Sequence, residues 1–383
     1  MARFELQRGI DPHYDTSKSV VMRYRKSIDP PLRKQLLERV CSREGSRIFH
    51  LMSRRGIDIY ILDETTRMTT NTFEALVAAV SIARLLEHGR DTAISSSGGN
   101  LSAALAAYCQ RANIRAFSFV PLANLPLLDG RLFGDSVQLI AVKSAQKTRD
   151  LMLYARDKLR AYVGYDPLIP TTEDRLAAMR LRGYAVAEFM QRNGTAFSAI
   201  AQTVSAGFGP LGMVAALRSV VKKGKCPAFF GVQQEANAYM YRRWKRKHIR
   251  ASSPLIVPTL FDKNPDKTFG TYSALAALLR KTRGDMVTIN GREFRRYIDS
   301  KLLQKLRVKG IVHTKKKGEL VGRSGLMALA GVLKAIDMAR IRDGPVLVCM
   351  TDGSQNLSRM PKPSFVAETE ADIDTIMASL TDL

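Results

Sequence analysis

TNTFEALVAAVSIARLLEHGRDTAISSSGGN, residues 70–100, places a helix, a strand and a loop in the order that decides the fold. FEALVAAVSIARLLEHG (73–89) is rich in Ala and Leu, and Gly89 supplies the left-handed conformation at which helices end. TAISSS (92–97) is a short strand that runs into SSSGGN (95–100), and NLSAALAAYCQRANI (100–114) is the next helix. Serine and glycine at a strand-to-helix turn leave backbone N–H groups free, which suits a carboxylate or a phosphate.

The same rhythm extends outward. Upstream, PPLRKQLLERV opens on Pro30-Pro31 with helical spacing, and IDIYILDE (57–64) has strand character. Downstream come the strands RAFSFVPLA and VQLIAV (137–142), the helix TRDLMLYARDKLRAYV (148–163) and the helix DRLAAMRLRGYAVAEFMQRNG. There follow AFSAIAQTVSA, PLGMVAALRSVVKKG, AFFGVQQEA (228–236), SGLMALAGVLKAIDMAR (324–340) and PVLVCMTDG (345–353), again strand and helix by turns. Such alternation predicts an α/β fold of mostly parallel sheets with helices on both faces. The 383 residues suggest two lobes: a large one from 1–89 and 176–383, and a small one from 90–175 carrying helix 100–114. The stretch 251–310 reads as less regular, an insert near a site mouth. The chain contains neither an internal repeat nor a low-complexity tract.

Composition excludes some functions. The longest apolar runs fall short of a membrane span, and MARFELQRGIDPHYD lacks the apolar core of a signal peptide. Cys41, Cys109, Cys226 and Cys349 are widely spaced, which predicts reduced, buried thiols in a cytoplasmic protein, not a disulfide framework or metal centre. The net charge of +25 is the outlier, with local peaks at 220–226, 241–250 and 313–319. Aromatics make up only 7%, and the peaks carry no RNA-recognition or zinc-finger pattern. A solvated basic surface is therefore preferred over nucleic-acid binding.

Two further strand-end loops share the composition of SSSGGN. SAGFGPLG (205–212) has Gly207 and Gly209 for close backbone approach, and Pro210 in a first helical turn forfeits no hydrogen bond. TDGSQN (351–356) follows a fully apolar strand. In open α/β sheets ligands gather at such carboxyl ends. Neither a Walker loop nor a dinucleotide fingerprint with its ribose-binding acid is present.

The order of these pieces resembles the tryptophan-synthase-like, fold type II family of pyridoxal-phosphate enzymes, and within it the threonine synthase and cysteate synthase branch. TTNTFE (69–74) resembles the family's Asn-Pro-Thr-Gly-Ser-Phe-Lys segment, and SSGGN (96–100) its Ser-x-Gly-Asn loop. AQTVSAGFGPLG resembles the phosphate loop, GVQQEA (231–236) the strand after it, SGLMALAG (324–331) the Ser-Ala-Ala-x-x-Ala-Gly helix, and CMTDG (349–353) the last strand. The likeness covers roughly residues 57–355, and six ordered pieces make it more specific than any one.

What the resemblance implies is pyridoxal 5′-phosphate and an amino-acid substrate, with β-elimination or β-replacement as the reaction and a homodimer as the assembly. It would have Asn100 hydrogen-bond the cofactor's ring hydroxyl, and the backbone amides of Ser205, Ala206, Gly207, Phe208 and Gly209 cradle its phosphate. Thr351 would serve the pyridine nitrogen, and Ser96, Ser97 and Gly98 a substrate carboxylate. The departures are equally specific. Phe73 matches the family's phenylalanine, so its Schiff-base lysine falls on Glu74. Met68, Thr69 and Asn71 stand for the Asn, Pro and Gly of the segment, and Gly322-Arg323 for a Glu-Pro. Glutamate cannot form an imine, so covalent attachment of the cofactor is not expected. Its charge would also oppose a nearby substrate carboxylate. Arg67 and Arg84 are the nearest basic residues and Lys143 the nearest downstream lysine. Two expectations follow: an enzyme with an altered catalytic residue, or a lysine-less pseudoenzyme that binds a phosphate-bearing ligand or a protein partner.

Overall fold

The computed structural model describes residues 10–221, 226–247, 254–260, 262, 264–311, 322–353 and 359–381. The basic stretch 313–319 lies outside them, as do most of 220–226 and the ends of 241–250 and 351–356. Ten strands are found among the described residues: β1 (Arg47–Arg54), β2 (Ile57–Asp63), β3 (Thr92–Ser96), β4 (Arg115–Pro121), β5 (Val137–Val142), β6 (Ala199–Thr203), β7 (Ala228–Gln234), β8 (Asp285–Ile289), β9 (Val346–Met350) and β10 (Phe365–Ala367). They form two sheets in two compact units.

The first unit comprises Met1–Asp29, Arg43–Phe73 and Arg175–Ser354. Its sheet runs β1-β2-β9-β6-β7-β8, antiparallel only between β1 and β2. Arg54 pairs with Ile57, so Arg55-Gly56 is a two-residue turn, and both residues have positive φ (51° and 77°). This mirror-image turn follows the right-handed twist of the strands it joins. Inward-facing Ile59, Ile61, Val232, Val287 and Val348 share a core with Leu326, Leu329 and Leu333 of helix Arg323–Asp337. That helix lies close because it carries glycine where it meets the sheet. A Cβ on Gly331 would stand 2.5 Å from Val232 Cγ2, and one on Gly325 2.3 Å from Met350 Sδ.

The expectation of irregular chain over 251–310 is corrected. Helices Pro265–Phe269, Tyr272–Thr282, Gly291–Tyr297 and Ser300–Val308 flank strand β8, which completes the sheet edge. Asn290 and Glu293 close a reciprocal capping box, and Asp299 caps the next helix through Leu302 N–H. Those start signals were present in the sequence.

The second unit comprises Pro30–Ser42, Glu74–Asp174 and Gln355–Leu383. Its sheet is wholly parallel, in the order β10-β5-β4-β3. Leu151, Met152, Ala155 and Leu159 of helix Thr148–Val163 pack with Ile373, Ile376 and Met377 of helix Glu370–Thr381 against Phe117, Phe119 and Ile140. Helix Glu74–Glu87 buries Ala75 to Ala83 without a break, and Leu85 beyond Arg84, which accounts for its apolar character on nearly every side. The unit boundaries differ from the expected 89/90 and 175/176 division: helix Glu74–Glu87, residues 30–42 and residues 355–383 cluster with 90–174. These are non-local associations that a linear reading cannot see. Cys41, Cys109 and Cys349 are buried free thiols, whereas Cys226 is only half-buried. Among the described residues no helix is long and apolar enough to cross a membrane.

Candidate functional site

In the first unit, β6 ends at Thr203, Val204 N–H bonds the Val232 carbonyl (2.8 Å), and the chain turns out of the sheet. Gly207, at φ 87°, caps helix Phe208–Val220. The first helical bond is Leu211 N–H to Gly207 O (3.1 Å). The N–H groups ahead of it belong to the unsatisfied first turn, and Pro210 has none to lose. Thr271 donates its hydroxyl hydrogen to Ala206 O and so fixes the turn. Gly209 lies close to buried side chains: a Cβ there would stand 2.3 Å from Gln202 Nε2, so that amide would have to move. Phe208 meets Phe269 edge-on (5.7 Å between ring centres), with the Arg175 guanidinium 5.3 Å from the Phe208 ring centre. The loop expected from sequence is thus a strand-to-helix turn held by these bonds and contacts.

Thr351, buried at the end of β9, lies 3.4 Å from the Ser324 hydroxyl. The segment before Glu74 is tied directly to it. Phe73 N–H bonds Thr351 O (3.0 Å), Gly353 N–H bonds Asn71 O (2.9 Å), and Thr72 pairs with Asp352 as an antiparallel bridge. Asn71 takes a positive φ of 55°, so asparagine fills a position where glycine is the easier residue.

Asp352, which the sequence reading passed over, caps helix Arg323–Asp337 from outside. Its carboxylate accepts from Gly325 N–H (2.8 Å) and Ser324 N–H (3.3 Å). Burial pushes its pKa up to about 6, against the pull of those N–H groups. A carboxyl with a raised pKa favours the folded state when protonated, so its contribution is full below the ordinary carboxylate range and is lost as pH rises through about 6. Urea denaturation of Asp352→Asn should therefore show a flatter stability profile than the wild type between about pH 4 and 6, the difference being on the order of 2–3 kcal/mol. Parallel profiles would refute this.

Behind Phe73 lies a second feature with no sequence signal. Glu64 and Arg182 form a bidentate ion pair (2.5 and 2.6 Å) with side chains 1% and 0% exposed. The Arg182 guanidinium carbon stands 4.8 Å from the centre of the Phe73 ring, and its Nη1 would be 3.2 Å from a Cβ on Gly209. One buried cation therefore backs both the phosphate-type loop and the residue before Glu74.

In the second unit, Ser96, Ser97, Gly98 and Asn100 are half-buried at the end of β3. Ser97 N–H bonds Phe119 O (3.2 Å), Ser102 Oγ donates to Ser97 O (2.9 Å), and Asn124 Nδ2 donates to Gly98 O (2.6 Å). Asn100 is the first residue of helix Asn100–Ala112. Glu74 opens helix Glu74–Glu87, where a negative side chain is electrostatically favoured. Lys143, one residue past β5, is exposed and held by Glu368 (2.7 Å).

Over residues 47–352 the sequence matches the family described as pyridoxal-phosphate dependent enzyme. No curated protein matches. Among solved structures, threonine synthase from Escherichia coli is similar with a TM-score of 0.68 at 12% identity, covering 99% of this chain and 91% of that one. Maize serine racemase gives 0.58 at 14% identity (93% and 98% covered). The processed form of threonine deaminase isoform 2 from Solanum lycopersicum gives 0.54 at 17% (85% and 79%). The two sheets and the helices that flank them are those of a fold type II α/β protein. The chain belongs to the pyridoxal-phosphate dependent enzyme family, and pyridoxal phosphate is its cofactor.

Proposed function

We propose that the chain binds pyridoxal phosphate without a covalent link and takes an amino acid as its ligand, as the threonine synthase-like branch does, with Glu74 at the lysine position. The observation that carries this reading is the Gly207-Phe208-Gly209 turn at the amino end of a helix whose first turn is largely buried. A phosphate fits there because the first-turn N–H groups have no partner within the helix and the helix dipole favours an anion. The amides of residues 205–209 would hold the phosphate, Asn100 the ring oxygen, and Thr351, steadied by Ser324, the pyridine nitrogen. The hydroxyls of Ser96 and Ser97 and the N–H of Gly98 would receive a carboxylate. When bound, the cofactor supplies electron withdrawal from the substrate α-carbon, which is what makes loss or exchange of a β-substituent accessible. Glu74 can accept or return a proton but cannot anchor the cofactor, and its charge weakens retention of an anionic substrate.

Glu74 also favours a second reading, in which the ligand is held and not turned over. Equilibrium dialysis against pyridoxal phosphate tests the shared premise. Gly207→Val, which forces a β-branched residue to φ 87°, should bind at least about tenfold more weakly than the wild type. Wild-type protein that retains none would remove both readings. Release of the β-substituent from serine- or threonine-derived substrates separates the enzyme from the binding protein.

A further inference from the structure

A cavity of about 330 Å³ in the first unit is lined by Ser17, Arg43, Arg47, Thr66, Arg67 and Gly310. We propose that it is a second anion site, built for a compact, multiply charged oxyanion, and distinct from the turn at residues 205–209. Three guanidinium groups converge on one cavity, and among the described residues only Arg47 pairs with a carboxylate. Arg47 Nε bonds Asp63 Oδ2 (2.9 Å). Asp63 has nothing further to offer, because it also accepts from both N–H and hydroxyl groups of Thr65 (3.0 and 2.6 Å) and of Thr66 (3.3 and 2.8 Å). Burial acts to raise its carboxyl, but these bonds and Arg47 prevail and hold it below the usual range. Among the described residues, Arg43 and Arg67 pair with no carboxylate. Like charges gathered in a concave wall repel one another unless a counter-ion is bound, and the concavity concentrates their field on whatever enters.

The positions of the arginines are fixed by the main chain. Arg43 bonds Thr69 twice, through its N–H to the hydroxyl (3.1 Å) and through its carbonyl from the Thr69 N–H (2.7 Å). Gly45 N–H holds Arg67 O (3.0 Å), and Ser46 N–H holds Thr16 O (2.8 Å). Gly45 lies so near the 16–18 segment that a Cβ would stand 2.1 Å from Ser17 O, the carbonyl to which Arg67 Nη1 donates (3.4 Å). Arg47 also donates to Lys309 O beside Gly310. Planar guanidinium forks on an ordered backbone suit the paired oxygens of phosphate or carboxylate. The volume is at the small end of ligand cavities, which run from about 300 to 1,000 Å³.

The experiment measures thermal shifts of the full chain with pyrophosphate, citrate or chloride at constant ionic strength. Pyrophosphate or citrate should raise Tm with saturation, and chloride should not. Whichever of the two binds more tightly identifies a phosphate or a polycarboxylate as the class of ligand. Arg43→Gln/Arg67→Gln should weaken that binding at least about tenfold, and Arg67→Lys should fall between, because it keeps the charge and loses the fork. Lys301→Ala/Lys305→Ala removes the same charge from an exposed helix face and should leave the binding unchanged. Gly207→Val should keep pyrophosphate binding, while the arginine variants keep pyridoxal phosphate. The proposal is overturned if the lysine variant weakens binding equally, if Gly207→Val abolishes it, or if no shift saturates. Unliganded Tm values confirm that each variant is folded.

Discussion

Mixed with pyridoxal phosphate and reduced with borohydride, Glu74→Lys should retain about one covalent label per chain, and the native protein none at residue 74. The effect is all or nothing because it turns on the presence of an amine. Position 74 opens a helix directly after Phe73, and Phe73 is pinned by its N–H to the Thr351 carbonyl. A lysine there would stand at the amino end of a rigid, buried helix, where the dipole lowers the cost of the neutral, nucleophilic amine. Peptide mapping of the reduced protein is the measurement. A label on another lysine of the native chain would show that the anchoring group has moved, and Lys143, exposed and paired with Glu368, is a poor candidate for it. An unlabelled Glu74→Lys protein that still binds the cofactor would remove position 74 from the site.

Arg182→Met should cost about 3–5 kcal/mol of stability in urea denaturation, because it strands the Glu64 carboxylate in a fully buried position. The paired variant Glu64→Met/Arg182→Met should recover most of that loss, since two apolar side chains of similar volume need no partner. The recovery distinguishes a desolvated charge from lost packing. A single-variant cost under about 1 kcal/mol would mean that water reaches the pair. Arg182 also faces the Phe73 ring and stands near Gly209. Even the stable double variant should therefore bind pyridoxal phosphate more weakly, a separation of folding from binding that the two measurements together reveal.

Features set by local chemistry were legible in the sequence. The Ala- and Leu-rich run before Gly89, the apolar strands and the glycines at 207 and 209 are found where periodicity and backbone sterics require them. The strand-end loops were visible for the same reason. Features that depend on pairing across the chain were not. Glu64 and Arg182 are 118 residues apart, and neither has a neighbour that marks it for burial. Asp352 read as part of a polar turn, and only the fold brings the first turn of helix Arg323–Asp337 onto its carboxylate. The β1–β2 hairpin was missed because Arg55-Gly56 carries one strong turn residue instead of two. β10, three residues long, is too short to show an alternation.

That shortest strand has a consequence for the order of synthesis. β10 forms one edge of the four-stranded sheet, and Ala367, Ile373, Ile376 and Met377 complete the core built by residues far upstream. While a ribosome is still making the intervening chain, β5 presents an unpaired edge and Ile140 and Val142 lack part of their covering. An open apolar edge of this kind is a template for association with other nascent chains. The second unit can close only when residues 365–381 have emerged, so its sheet edge is covered late even though most of its strands are made early.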